Sequence, residues 1–263
     1  MYKLIAIDID DTLLNDDIKI TDRVFGAIKA AQDKGVIVVL CTGRTLKGGE
    51  RFYEQLKLDT LFITSGGAEI YDSNRSRVYE DEVDPVLVKQ VLQYAYDNDI
   101  HAQVYIDGEL VYKERNKYSA LYEIPYGHPG ILIPDLMEHD EILTPKVLYV
   151  LDAHRASAVK EDVQRKFATL AIKTSKPMFI EFASVGVSKA VGLQFVADYY
   201  NIEIKDVIAI GDSQIDAPMI ELAGLGVVMQ NAPEALKDIA DIICPSNEND
   251  GVAYVIEKYI LEA

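Results

Sequence analysis

Asp8-Ile9-Asp10-Asp11-Thr12 follows Lys3-Leu4-Ile5-Ala6-Ile7, an almost wholly apolar run of strand length, and the reading of this junction decides the fold. The run predicts a buried strand that delivers two carboxylates to its carboxyl end. In open parallel α/β sheets that end is where ligands bind. Side chains two apart on an extended chain point the same way, so Asp8 and Asp10 share a face. Close carboxylates repel, and a shared proton or a bound cation relieves them. Oxygen donors alone favour a hard cation such as Mg²⁺. A solvated loop uses the same residue types, so the pentapeptide by itself leaves both readings open. A calcium loop is a poor match, because its sixth and twelfth positions want Gly and Glu and hold Leu13 and Lys19.

Outward from this junction, Thr21 is placed to cap a helix with Val24, Phe25, Ile28 and Ala31 at helical spacing and Gly35 at its end. Val36 to Cys41 is a continuous strand-like run ending in Thr42-Gly43-Arg44, whose hydroxyl and backbone N–H suit an anion. Strand, helix, strand begins a right-handed parallel unit. Leu61 to Thr64 is a third strand, ending in Ser65-Gly66-Gly67, and Ala68 to Tyr71 with Val78 to Glu80 reads as a hairpin. From Ser188 the pattern returns: a Ser-capped helix through Tyr200 with Val191, Phe195, Val196 and Tyr199 as its apolar face. Strands Val207 to Ile210, Leu225 to Met229 and Asp241 to Cys244 follow, each with polar residues after it, before a terminal helix from Val252. Lys189 stands in the first turn of its helix, where a positive charge opposes the helix dipole, which hints at a ligand.

Pro85 to Ser184 differs in character: a helix from Val86 to Tyr96, strands around an Asp107-Gly108 turn, a proline-marked stretch, and a second αβ set from Lys146 to Phe182. It holds half of the 16 tyrosines and all four histidines, His101, His128, His139 and His154, at spacings that suit no metal. A tyrosine-rich face could stack on or hydrogen-bond a substrate, although packing of a small sheet is the commoner reason for one.

The chain of 263 residues with 49% hydrophobic content is long enough for one large or two modest domains. With 26 Lys plus Arg against 43 Asp plus Glu, its formal charge of −17 argues against nucleic acid. Small anionic substrates stay possible, since a few local groups can outweigh the global field. No apolar run approaches a membrane span of about 20 residues and no secretory leader pattern is present, so the expectation is a cytoplasmic protein without a membrane partner. Cys41 and Cys244 end apolar runs and read as reduced, buried thiols.

Order and spacing together resemble the haloacid dehalogenase superfamily, and within it the Cof-type sugar-phosphate phosphatases. Asp8 to Leu14 looks like the first motif, Thr42-Gly43-Arg44 the second, Val187-Ser188-Lys189 the third, and Gly211-Asp212 with Asp216 the fourth. Glu181, Asn231 to Glu234 and Asp250 to Ala253 resemble subfamily signatures. The resemblance implies a Rossmann-like parallel sheet core of residues 1–83 and 186–263, helices on both faces, and an inserted α+β cap of residues 84–185 that closes over the site and selects the substrate. It further implies a Mg²⁺-dependent phosphatase of small phosphorylated metabolites, sugar phosphates first. Asp8 would be the nucleophile and Asp10 the acid and base, its pKa raised by neighbouring acids. Ile9, Thr42, Gly43 and Lys189 would hold phosphate. Asp8, the Asp10 carbonyl and Asp212 would hold the metal, with Ser213 and Asp216 near its outer shell, and Arg44, Gly66, Glu181 and Asn231 are further site candidates. A phosphomutase and a weakly active sugar-phosphate-binding regulator stay as alternatives. This chain departs from the family pattern with Asp11 and Ala190 for Gly, and with Gly66 and Ile215 for Asn. Ile215 removes an expected phosphate contact, a loss of about 1.5–3 kcal/mol.

Overall fold

The computed structural model describes residues 2–126, 129–174 and 176–262, without the side chains of 124–126; His128 lies outside the described residues. The chain divides into two compact units, one formed by Met1–Arg44, Gly49–Tyr79 and Ser188–Ala263, the other by Thr45–Gly48 and Glu80–Val187.

In chain order, β1 (Leu4–Ile7) leads through the acidic loop to α1 (Asp22–Asp33). Thr21 caps α1, its Oγ1 accepting from the Val24 N–H at 3.2 Å, and Val24, Ala27, Ile28 and Ala31 are its buried stripe. β2 (Ile37–Leu40), α2 (Leu46–Gln55), β3 (Phe62–Thr64), β4 (Glu69–Tyr71) and β5 (Arg77–Glu80) follow. Next come α3 (Pro85–Asp97), β6 (His101–Ile106), β7 (Glu109–Tyr112), α4 (Lys117–Tyr126) and β8 (Ile131–Leu132). β9 (Val147–Val150), α5 (Ala153–Lys166), β10 (Leu170–Lys173) and β11 (Phe179–Ser184) complete this stretch. The chain ends with α6 (Lys189–Tyr199), β12 (Val207–Gly211), α7 (Ala217–Leu222), β13 (Leu225–Met229), α8 (Glu234–Lys237), β14 (Ile242–Cys244) and α9 (Gly251–Ile256).

The first unit is built on a parallel sheet in the order β14-β13-β12-β1-β2. Leu4 of β1 lies between Ile37 of β2 and Val207 of β12. The chain therefore leaves β1 toward one side and later returns on the other, so the strand order reverses at β1. Such a reversal opens a crevice outside the carboxyl ends of the strands, here those of β1 and β12. One face of the sheet, with Leu4, Ala6, Val39 and Ala209, packs on Leu193 and Val196 of α6 and on Met219 of α7. β3 does not extend this sheet. It pairs antiparallel with β4 in the order β3-β4-β5, and a bridge between Cys41 and Ile63 joins it to the end of β2.

The second unit carries a sheet in the order β10-β11-β9-β6-β7-β8, antiparallel apart from the β7–β8 pair. Val104, Val147, Tyr149 and Phe182 on one face pack on Val88 and Val91 of α3 and on Val163 of α5. The opposite face carries Tyr105, Leu110, Tyr112, Leu148, Val150 and Phe179, with Tyr122 of α4 against it. An α/β protein with a parallel core sheet and a separate antiparallel sheet is the fold class expected from the sequence.

One local expectation changes. Val191 and Tyr199, taken as the apolar face of α6, are exposed, and the buried face is Lys189, Gly192, Leu193, Val196 and Ala197. Apolar residues occupy most of this helix, so bulk alone does not fix its phase; the burial of Lys189 does. The proline-marked stretch contains α4, started by Asn116, whose Oδ1 accepts from the Tyr118 and Ser119 N–H groups. Cys41 and Cys244 are buried free thiols. Among the described residues, no helix is long and apolar enough to cross a membrane.

Candidate active site

The crevice beside β1 gathers the side chains that the strand ends deliver. Asp8 follows β1 directly, and its N–H donates to the Ile210 carbonyl of β12 at 3.0 Å, so sheet pairing runs up to the carboxylate itself. Asp212 follows β12. Its Oδ1 accepts from Thr12 Oγ1 at 2.8 Å, which ties the two acidic loops together. Lys189 enters from the first turn of α6 and is 1% exposed. Its ammonium donates to Oδ1 of Asp8 and Oδ1 of Asp216. The other oxygen of Asp216 accepts from the Ser213 hydroxyl at 2.6 Å and from the N–H groups of Ser213 and Asp212 at 2.9 and 3.2 Å. Asp216 can come this close because residue 211 is Gly; a Cβ there would stand 2.5 Å from the Asp216 Cβ.

Charge explains why the lysine starts its helix against the dipole. Burial alone would lower the affinity of Lys189 for its proton, but Asp216 and Asp8 outweigh burial and hold its pKa above the ordinary lysine value. Burial pushes the Asp8 carboxyl well above the usual carboxylate range. Lys189 opposes that shift, and Asp216, Asp212 and Asp10 add to it. Asp212 is pushed up to about 7 by burial and by Asp216. One ammonium thus faces three carboxylates, Asp8, Asp212 and Asp216, with oxygens within 4.8 Å of one another.

That donor set fits a hard divalent cation. The second oxygens of Asp8 and Asp212 accept no hydrogen bond from a described residue, whereas both oxygens of Asp216 are engaged. Asp8 and Asp212 can therefore offer a direct ligand each, and Asp216 with Ser213 braces Lys189 and the Asp212 loop.

The second-motif loop lies beside these acids. Thr42 is fully buried and its Oγ1 accepts from the Arg44 N–H at 3.1 Å. Arg44, 5% exposed, grips both oxygens of Asp10 at 2.8 and 2.6 Å. The expectation that neighbouring acids press on Asp10 meets a different arrangement: its side chain is half exposed and turned to a guanidinium. Gly66 donates its N–H to the Thr42 carbonyl at 2.9 Å, and Ser65 to that of Arg44 at 2.7 Å. Gly67, at φ +100°, leaves no room for a Cβ against the Ser188 carbonyl, so this loop braces the start of α6 as well. The buried carboxylate of Glu69 holds Ser65 and Tyr71 in place.

A family profile of haloacid dehalogenase-like hydrolases matches residues 5–256. The chain belongs to that family. Its sequence is 36% identical over 262 residues to 5-amino-6-(5-phospho-D-ribitylamino)uracil phosphatase YcsE of Bacillus subtilis (strain 168), covering 98% of this chain and 96% of the relative. It is 30% identical over 265 residues to the phosphatase of the same name, YitU, from that organism, covering 97% of each. A haloacid dehalogenase-like hydrolase from Bacteroides thetaiotaomicron has the same fold, with a TM-score of 0.91, 28% identity, and coverage of 99% of this chain and 100% of that one. The reaction class of this haloacid dehalogenase-like hydrolase is that of its phosphatase-named relatives, hydrolysis of phosphoric monoesters.

Among the residues singled out from sequence, Asp8, Asp212, Ser213, Asp216 and Lys189 form one cluster, and Arg44 joins Asp10 to the Thr42 loop. Ile9 is buried behind Asp8. Ile215 lies over Gly43, its Cδ1 3.5 Å from where a Gly43 Cβ would stand. Asn231 fastens the outer loops, donating to the Asp11 carbonyl at 2.8 Å and accepting from the Asn247 N–H at 3.1 Å. Glu181 belongs to the second unit, where it pairs with Lys146 at 2.9 Å. Thr12 and Glu69 were not singled out, although Thr12 sits four residues after Asp8 within the acidic stretch. Nothing in a strand sequence marks Glu69 as a loop brace.

Proposed function

We propose that the protein is a Mg²⁺-dependent phosphatase of small phosphorylated metabolites, with phosphorylated sugars and sugar alcohols as the favoured esters, working through an aspartyl-phosphate on Asp8. The observation that carries this reading is the buried Asp8 carboxylate, held by Lys189 against Asp216 beside Asp212, at the point where the parallel sheet reverses its order. The names of the two Bacillus relatives, which specify a phosphorylated ribityl chain, support the ester class.

Asp8 attacks phosphorus through an oxygen while the bond from phosphorus to the alcohol breaks, and Asp10 gives its proton to the departing oxygen. Water then attacks phosphorus, returns a proton to Asp10 and frees Asp8. For either transfer Asp10 has to turn from Arg44. The Thr42 hydroxyl can donate to a phosphoryl oxygen while accepting from the Arg44 N–H, and Ile9, Gly43 and Lys189 complete the set of fixed donors. Asp8, the Asp10 carbonyl and Asp212 would hold Mg²⁺, with Asp216 and Ser213 behind them, and the bound ion would offset repulsion between carboxylate and phosphate dianion. The second unit, taken as the cap of residues 84–185, would select the alcohol.

The test is phosphate release at neutral pH from sugar phosphates, alditol phosphates, nucleotides and p-nitrophenyl phosphate, with Mg²⁺ or with excess chelator. Wild type should turn over in a Mg²⁺-dependent way, and Asp8→Asn should lose at least about 10³-fold. Equal rates in wild type and Asp8→Asn would overturn the reading, as would silence across the panel.

A further inference from the structure

A buried carboxylate stands beside the active-site loops and takes no part in the chemistry assigned above. Glu69 opens β4 and is 1% exposed. Its Oε1 accepts from the Tyr71 hydroxyl at 2.8 Å and from the Arg77 guanidinium at 3.3 Å, both on strands of the β3-β4-β5 sheet. Its Oε2 accepts from the Ser65 hydroxyl at 2.7 Å. One oxygen thus serves the sheet and the other the loop after β3. A buried charge is costly and strand pairing does not need one, so the explanation lies in the loop. Ser65 sits at φ +52°, followed by Gly66 at +71° and Gly67 at +100°. Glycine takes that left-handed conformation freely, whereas a serine is strained there and keeps it only where its surroundings hold it. The grip of Glu69 on its hydroxyl is such a hold.

The left-handed run acts on two neighbours. Ser65 and Gly66 give their N–H groups to the Arg44 and Thr42 carbonyls, on either side of Gly43. Gly67 lies against the Ser188 carbonyl, one residue before Lys189. Three consecutive residues therefore fix both the Thr42-Gly43 segment and the start of α6. All of these residues belong to the first unit. We infer that Glu69 is a positioning residue for phosphoryl transfer. By holding Ser65 left-handed it keeps Thr42, Gly43 and Lys189 where they meet the phosphoryl oxygens, and it touches no substrate itself; the inference rests on the phosphatase reading above. Donors to a transition state accelerate a reaction only when they are already fixed, so a loop that relaxes slightly loses rate without losing the fold.

The experiment measures kcat, KM and inhibition by orthovanadate with Mg²⁺, using p-nitrophenyl phosphate and glucose 6-phosphate, in wild type, Ser65→Gly, Glu69→Gln and Tyr71→Phe. Ser65→Gly removes the hydroxyl while permitting the same backbone. It should lower kcat/KM about tenfold for both esters alike and weaken orthovanadate by a similar factor, the effect of one hydrogen bond to a charged group. Glu69→Gln keeps the shape and one acceptor, and should lose about threefold. Tyr71→Phe removes a donor on the sheet side, and should lower the melting temperature while leaving kcat/KM within about twofold. Ser65→Gly and Tyr71→Phe each take one donor from the same carboxylate, so a role in packing alone predicts equal kinetics. Equal kcat/KM and equal orthovanadate inhibition in the two would overturn the inference. Glu69→Gln against Tyr71→Phe decides in the same way if Ser65→Gly fails to fold. Silence of wild type on both esters would count against the phosphatase reading, and calorimetric titration of orthovanadate into the same proteins would still decide the role of Glu69. Weaker binding in Ser65→Gly than in Tyr71→Phe supports positioning, and equal binding or none overturns it.

Discussion

The two sheets bury charge in opposite ways. At the carboxyl end of the parallel sheet, one ammonium, Lys189, is shared between Asp8 and Asp216, with Asp212 alongside. On the antiparallel sheet, Lys146 pairs with Glu181 at 2.9 Å, and the lysine also lies 5.3 Å from the centre of the Tyr105 ring. A pair of one lysine and one glutamate is a local solution to burial. An excess of carboxylates is a standing demand for positive charge, and it adds to the burial that raises proton affinity at Asp8 and Asp212. The difference teaches that a charged cluster is told from a structural ion pair by its imbalance more than by its burial.

Removing the lysine from each sheet is the strongest way to break the comparison. Lys189→Met leaves buried carboxylates without their partner and should cost about 3–5 kcal/mol of stability in urea unfolding, with a loss of activity of at least about 10²-fold. Lys146→Met leaves Glu181 with a side chain 24% exposed and should cost about 1–2 kcal/mol. Equal costs would show that the parallel sheet holds no special imbalance.

A smaller effect sharpens the same point through pH. Asp212 has a folded pKa of about 7, above the ordinary carboxylate value of 3.8. The folded state therefore binds more protons than the unfolded state between those values, and this group's contribution to stability falls as pH rises through the window. Metal-free Asp212→Asn lacks that titration. Its stability relative to wild type should rise between about pH 4 and 7, and a pH-independent difference in melting temperature would contradict the raised proton affinity of Asp212. Smallest is Asp11→Gly. Asp11 sits at φ +58°, a conformation glycine adopts without strain, so the change should be neutral or stabilising by up to about 1 kcal/mol. A clear loss in chemical denaturation would mean that the Asp11 side chain supports the loop.

Much of this arrangement was legible in the sequence because it is local. An apolar run followed by acids is a strand delivering ligands, whatever the rest of the chain does, and Thr21 and Ser188 cap the helices they precede. The tyrosine-rich stretch was legible as a sheet, but the pairing of Tyr105 with Tyr122 was not, since the two come from a strand and a helix 17 residues apart. Residue bulk misplaced the face of α6, because Lys189 takes a buried position on electrostatic grounds that periodicity does not register.

The sequence by itself determined which residues stand at the strand ends and how many carboxylates they bring, because strand period and helix capping act over a few neighbours. Only the tertiary structure decided which carboxylates share Lys189, that Arg44 takes Asp10, and that Thr12 reaches Asp212. Those choices join residues separated by as many as 200 positions, and they depend on a strand order that reverses at β1. Burial then sets their energies, since attraction and desolvation act through space and no local pattern encodes the distance between chain segments.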